Sequence, residues 1–176
     1  MQKAVAIFAA LVSGMAYGQT PATTASRHIT FNGRVLTADQ EKRLEAVERK
    51  NGVRLPDRDY WYDNRSGAAG LWQGPTLGVL PAGLELGGPM PIHCSGQGTG
   101  VYLNGRELPP ADVLLLTQLT LVAPGRYWLD ADGNFGFEHA PALSNLLYLA
   151  RQSTGSGSHG VYGLGELSAL ARIPVR

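Results

Sequence analysis

The sequence predicts an α+β fold: two fused hairpin–helix–hairpin (ββαββ) pseudo-repeats sharing one core, followed by a C-terminal helix. Three observations carry this. The run Tyr60-Trp61-Tyr62-Asp63-Asn64-Arg65-Ser66-Gly67-Ala68-Ala69-Gly70 returns, one residue shorter in its turn, as Tyr127-Trp128-Leu129-Asp130-Ala131-Asp132-Gly133-Asn134-Phe135-Gly136. Upstream of each copy stands Asn-Gly-Arg-x-Leu, at Asn32–Leu36 and again at Asn104–Leu108, an offset of 72 residues. A helical pattern lies between the two motifs in both copies, and at the same offset Leu44 and Val47 map onto Leu116 and Leu119.

Composition supports a folded chain of short elements. Apolar residues make up 44% and charged residues 16% of the 176, which is too apolar for a disordered protein. The 23 glycines and 11 prolines favour turns over long helices. The formal charge is +1, and it vanishes once Lys3 is removed, which argues against nucleic acid as a partner. One cysteine, Cys94, cannot form an internal disulfide.

Residues 1–18 read as a secretory signal peptide. Lys3 supplies the positive start, Ala4 to Val12 the apolar stretch, and Ala16-Tyr17-Gly18 the small residues before cleavage near Gly18/Gln19. The expected location is therefore secreted or periplasmic. No other apolar run reaches membrane-spanning length, so no transmembrane segment is expected in the mature chain. Residues 19–27 are a small, polar leader.

Repeat one, residues 28–78, opens with a hairpin whose Asn32-Gly33 pair suits a type I′ turn. Thr37 and Gln40 have capping-box spacing, so a helix is expected from Ala38 to about Lys50, stopped by Asn51-Gly52. The Tyr60 hairpin follows, with a return strand at Gly70–Gln73. Residues 79–100 read as a Gly/Pro-rich connector that loosens over 95–100. Repeat two, 101–144, replaces the Thr cap with Pro109-Pro110, and its helix is expected over 110–121. This helix is far more apolar than the first and is expected at the centre, covered on more than one side. Ala140–Gln152 reads as the last helix, with Leu143, Leu146, Leu147 and Ala150 inward. Residues 153–176 form a Gly/Ser linker and a tail, with a short helix expected at 165–172.

Alternation along the Tyr-Trp-x-Asp strands puts Tyr60 and Tyr62 on one face and Trp61 on the other. Leu129 replaces Tyr62 in the second copy, which marks that face as core. Trp61, Trp72 and Trp128 are the candidate contact aromatics for an external ligand, set against the plainer role of closing the core between repeats. Asp63 and Asp130 stand before turns, where a carboxylate accepts turn N–H groups. Asp130-Ala131-Asp132-Gly133-Asn134 with Glu138 resembles a calcium loop but lacks EF-hand spacing, and no metal site is expected. His93-Cys94-Ser95-Gly96 superficially resembles the nucleophile segment of cell-wall cysteine peptidases, with His139 or His159 as base. The glycines that follow would break the helix such enzymes place there. No phosphate loop and no Gly-x-Ser-x-Gly elbow occurs, and no cofactor is expected.

The paired Tyr-Trp-Tyr-Asp…Ser-Gly and Asn-Gly-Arg-x-Leu motifs, with the second Tyr-Trp-x-Asp, resemble a group of uncharacterised secreted or envelope-associated bacterial proteins. The resemblance covers residues 30–150 and implies architecture and export; it lends no activity. The expected function is an exported, non-catalytic binding or structural module of the bacterial envelope. Its partner would be a polysaccharide, peptidoglycan or another envelope protein. The alternative is a cysteine-dependent cell-wall hydrolase using Cys94 and His139.

Overall fold

The structure is a computed structural model that describes residues 27–155. The expected signal peptide, most of the expected leader and the expected tail beyond 155 lie outside the described residues. Repeat one contains β1 (Thr30–Phe31), β2 (Arg34–Val35), α1 (Ala38–Asn51), β3 (Asp59–Tyr62), β4 (Ala68–Leu71) and β5 (Thr76–Val79). Repeat two contains β6 (Val101–Leu103), β7 (Arg106–Glu107), α2 (Pro110–Thr117), β8 (Gly125–Leu129), β9 (Asn134–Phe137) and β10 (Ser144–Asn145). The chain then enters α3 (Leu146–Gly155). The fold is α+β, with two five-stranded sheets ordered β2-β1-β3-β4-β5 and β10-β9-β8-β6-β7.

Each repeat is wired alike. A helix carries the chain back so that the first strand of the opening hairpin pairs in parallel with the Tyr-Trp strand, β1 with β3 and β6 with β8. The Asn-Gly turns do more than reverse the chain. Asn32 and Asn104 take positive φ (53° and 50°), as do Gly33 and Gly105, the I′ geometry. Their side chains then bond across the parallel pair. Asn32 accepts from Tyr62 N at 2.9 Å and donates to Tyr62 O at 3.0 Å. Asn104 treats Leu129 the same way, at 3.1 and 2.7 Å. The two motifs recur together because one locks the other.

Helix α1 has the full capping box at Thr37 and Gln40, and Gly52 closes it in the left-handed region at φ 65°. It buries Leu44 and Val47 on the core of repeat one, with Ile29, Phe31, Tyr60, Tyr62 and Leu86. Trp61 faces the other way, into a separate cluster with Ala68 and Cys94.

Several expectations need correction. The repeats do not share one core. Tyr127, Phe135, Val101, Leu103, Leu108 and Leu146 form a second cluster of their own. The apolar helix is not central either. α2 has no side-chain cap, ends at Thr117, and leaves Leu114 64% exposed; Leu121, expected within it, is 97% exposed. The chain must turn there, because β8 begins at Gly125. The return strand is Ala68–Leu71 rather than Gly70–Gln73, and a further strand, β5, follows it at the end of repeat one. The last helix starts at Leu146, because Ser144 and Asn145 pair with β9 and the Asn145 side chain caps Tyr148 N at 2.9 Å. Leu143 therefore points outward, 61% exposed.

Candidate functional site

The polar groups that converge most closely lie where the repeats meet. Arg106, delivered by the Asn104-Gly105 turn, is 2% exposed. Its guanidinium lies 4.0 Å over the Trp61 ring of the other repeat. It donates to Ser95 Oγ at 2.7 Å, to Asp112 Oδ2 at 3.2 Å and to Thr76 Oγ1 at 3.1 Å. Asp112, in the first turn of α2, accepts from Thr76 N at 2.9 Å and Thr76 Oγ1 at 2.7 Å. Ser95 Oγ in turn donates a hydrogen bond to Glu107 O at 2.8 Å. Repeat one thus supplies the aromatic platform and Thr76, repeat two the Arg–Asp pair, and the connector Ser95.

Glu107, next to Arg106, fixes the glycine loop. Its Oε1 accepts from the backbone N–H groups of Gly98, Thr99 and Gly100 at 2.8, 3.0 and 3.0 Å. Three amides converging on one oxygen make an anion nest, and here the chain's own carboxylate fills it. The amides of Gly100, Gly98 and Thr99 hold the Glu107 carboxyl below the usual carboxylate range, and His93 nearby adds to this. The loop expected to be loose is held in place by this carboxylate.

The repeated Tyr-Trp-x-Asp motif has a common geometry. Trp61 pairs across its hairpin with Gly70, and Trp128 with Gly136. Each ring crosses its glycine and donates Nε1 to a carbonyl beyond it, Trp61 to Gly74 O and Trp128 to Ala140 O, both at 2.9 Å. A Cβ on Gly70 would lie 2.8 Å from the Trp61 ring and press on Pro75 O. One on Gly136 would meet Pro141 O at 2.6 Å and Trp128 Nε1 at 3.1 Å. The second glycine of the motif is the indole's bed.

Of the three candidate contact aromatics, Trp61 is fully buried. Trp72 is half-buried against the Trp61 cluster. Trp128 is half-buried with Arg65 4.7 Å above its ring. The motif acids bond as turn acceptors: Asp63 takes Arg65 N and Asp130 takes Asp132 N, both at 2.9 Å. Asp63 also accepts from Asn104 Nδ2 at 2.6 Å, a further bond between the repeats.

Cys94 is fully buried beside Trp61 and Ala68, and burial pushes its thiol up to about 11. A thiol so placed holds its proton at neutral pH, the opposite of an activated nucleophile. His139 is exposed in the turn after β9, at φ 64°. His159 lies outside the described residues. A shallow depression of about 400 Å³ lies at the end of α1, but its buried cation, Arg27, is already paired with Glu48 at 2.6 Å.

The chain is similar to two guanine nucleotide-binding proteins. It is 26% identical over 112 residues to Extra-large guanine nucleotide-binding protein 1 of Arabidopsis thaliana, and equally to Extra-large guanine nucleotide-binding protein 2 of the same plant. Each match covers 62% of this chain but only 12% and 13% of the length of those proteins. No family model matches, and no solved structure matches. This similarity corrects the functional expectation. It runs to guanine nucleotide-binding proteins of a plant, and overturns both the bacterial envelope module and its alternative, the Cys94 hydrolase.

The seam residues Arg106, Asp112, Thr76, Ser95 and Glu107 were not singled out from the sequence. A signal was present for one. Asp112 is the only charge in the helix Pro-Ala-Asp-Val-Leu-Leu-Leu-Thr, and a lone acid among apolar residues asks for a cation.

Proposed function

We propose that the chain is an accessory domain related to a segment of guanine nucleotide-binding proteins, which contacts a nucleotide-binding partner domain and leaves nucleotide chemistry to that partner. One observation carries this. The 112-residue similarity is of domain size, yet a small fraction of either relative, so it marks a module within a larger machine. Two features support reading the module as a contact domain. No Gly-Lys pair, the heart of a phosphate loop, occurs anywhere in the sequence. The converging amides of Gly98, Thr99 and Gly100 are spent on Glu107 rather than open to a phosphate.

The test has two parts. A fluorescent GTP analogue titrated with the purified protein is expected to show no saturable binding. The guanine nucleotide-binding domain of either plant relative, loaded with GDP or a non-hydrolysable GTP analogue, is expected to co-migrate with the protein on a sizing column. Nucleotide binding by the chain alone, or failure of both loaded forms to associate, would overturn the proposal.

Export through residues 1–18 is proposed separately, on the sequence alone. Intact mass of the protein recovered from outside the cytoplasm should correspond to a chain starting at Gln19.

A further inference from the structure

We propose that Asn104 is a site of spontaneous deamidation, gated by opening of the second repeat, whose product unfastens the two repeats. The chain holds three Asn-Gly pairs, Asn32-Gly33, Asn51-Gly52 and Asn104-Gly105. Glycine has no Cβ, so its backbone nitrogen can approach the preceding side chain unhindered. That nitrogen, having lost its proton to water, attacks the asparagine Cγ. The new C–N bond closes a cyclic imide, the Cγ–Nδ2 bond breaks, and ammonia leaves. Water then opens the ring to aspartate or isoaspartate. The net change is amide plus water to carboxylic acid plus ammonia, with nothing oxidised or reduced.

The fold sets the three apart. Asn32 and Asn104 share the sequence Asn-Gly-Arg, so their intrinsic chemistry matches. Each side-chain amide is tied by three hydrogen bonds, and reaction requires it to leave them and swing onto the next residue's nitrogen. Asn32 bonds Tyr62 N and O, donates to Gly88 O at 3.0 Å, and is buried in the closed first repeat. Asn104 bonds Leu129 N and O and donates to Asp63 Oδ2 of the other repeat at 2.6 Å, but it is only half-buried. The local opening that frees Asn104 therefore costs less than the one that frees Asn32. Asn51 is restrained twice over. Its Nδ2 donates to Val47 O at 2.6 Å, and the Gly52 N–H that would attack is bonded to Arg49 O and Glu48 O in the helix cap. The product matters most at Asn104. The departing Nδ2 is the donor to Asp63, and the carboxylate that replaces it cannot donate. It faces the Asp63 carboxylate instead, so a bond between the repeats becomes a like-charge repulsion. The inference does not depend on the proposed function.

The experiment uses the full chain, aged in mildly alkaline buffer with and without urea. Peptide mapping by mass spectrometry follows aspartate and isoaspartate at positions 32, 51 and 104. In the folded chain Asn104 is expected to convert at least about tenfold faster than Asn32 or Asn51. In urea, Asn32 and Asn104 should convert at similar rates, which shows that the fold makes the difference. Equal folded-state rates at Asn32 and Asn104, a faster Asn51, or no conversion at Asn104 while the urea-treated chain converts would each overturn the proposal. Asn104→Asp, made directly, tests the product. Hydrogen exchange at the Thr76 amide, bonded to Asp112 across the seam, should quicken at least about tenfold, while the Tyr60 and Tyr62 amides of the first core keep their rates. An unchanged Thr76 amide would overturn the unfastening. Loss of the whole fold, read by circular dichroism, would overturn it too, because the first core should survive.

Discussion

Repeat one buries Trp61 completely, whereas repeat two leaves its counterpart Trp128 half exposed beneath Arg65. Other equivalent groups differ too, in either direction. Arg106 is buried at the seam, while Arg34, its counterpart, is exposed on the opposite end of the molecule's first sheet. α1 is a capped, amphipathic helix of 14 residues; α2 has 8 and no side-chain cap. The lesson is about duplication. A motif copied with its hydrogen-bonding logic intact, Asn to strand and Trp over Gly, need not keep its environment. Here the first copy became a closed core and the second a partly open one, joined by a buried ion pair that repeat two supplies and that reaches Thr76 and Trp61 of repeat one.

The comparison can be broken at its tryptophans first. Trp61→Ala removes a fully buried indole and the platform under Arg106, and should cost about 3–5 kcal/mol. Trp128→Ala should cost only about 1 kcal/mol. Urea denaturation of both variants decides this; equal losses would mean the second core is as closed as the first. Arg106→Ala against Arg34→Ala comes next. The first strands Asp112 without its cation and should cost about 3 kcal/mol or more. The second should stay within about 0.5 kcal/mol. Gly70→Ala and Gly136→Ala sharpen the comparison further. Both should destabilise, by about 1–3 kcal/mol, with Gly70 the worse because its Cβ faces the immobile ring.

The smallest effect concerns acid. Glu107 has a folded pKa below its unfolded value, so its contribution is complete above the unfolded pKa, about 4.3, and is lost as pH falls through the folded value. Glu107→Gln should flatten that acid limb of a stability-against-pH profile and leave its neutral plateau nearly flat. An unchanged acid limb would show that the Gly98–Gly100 amides do not depend on this carboxylate.

Much of the fold was legible because its signals are local. Thr37, Gln40 and Gly52 mark the ends of α1 by chemistry that acts within one turn. Asn32-Gly33 and Asn104-Gly105 declare their turns through positive φ. Alternation correctly separated Tyr60 and Tyr62 from Trp61. What was not legible depends on distant partners. Thr76 opens a strand because β4 is there to pair with, and Leu143 faces outward because β10 takes the next two residues. The α2 face is half exposed although its sequence is the most apolar in the domain; composition states what a helix would bury, not what covers it. The seam escaped notice for the same reason, since Arg106, Thr76 and Asp112 become partners only after both repeats are folded.

The most direct measurement is residue-resolved native-state hydrogen exchange, comparing the β3–β4 amides with those of β8–β9. A closed first core and an open second one predict that β8–β9 amides, Tyr127 and Leu129 among them, exchange through an opening of lower free energy than Tyr60 and Tyr62. Identical opening free energies in the two hairpins would contradict it, and would mean the buried Arg106 seam welds the repeats into one cooperative unit despite their separate cores.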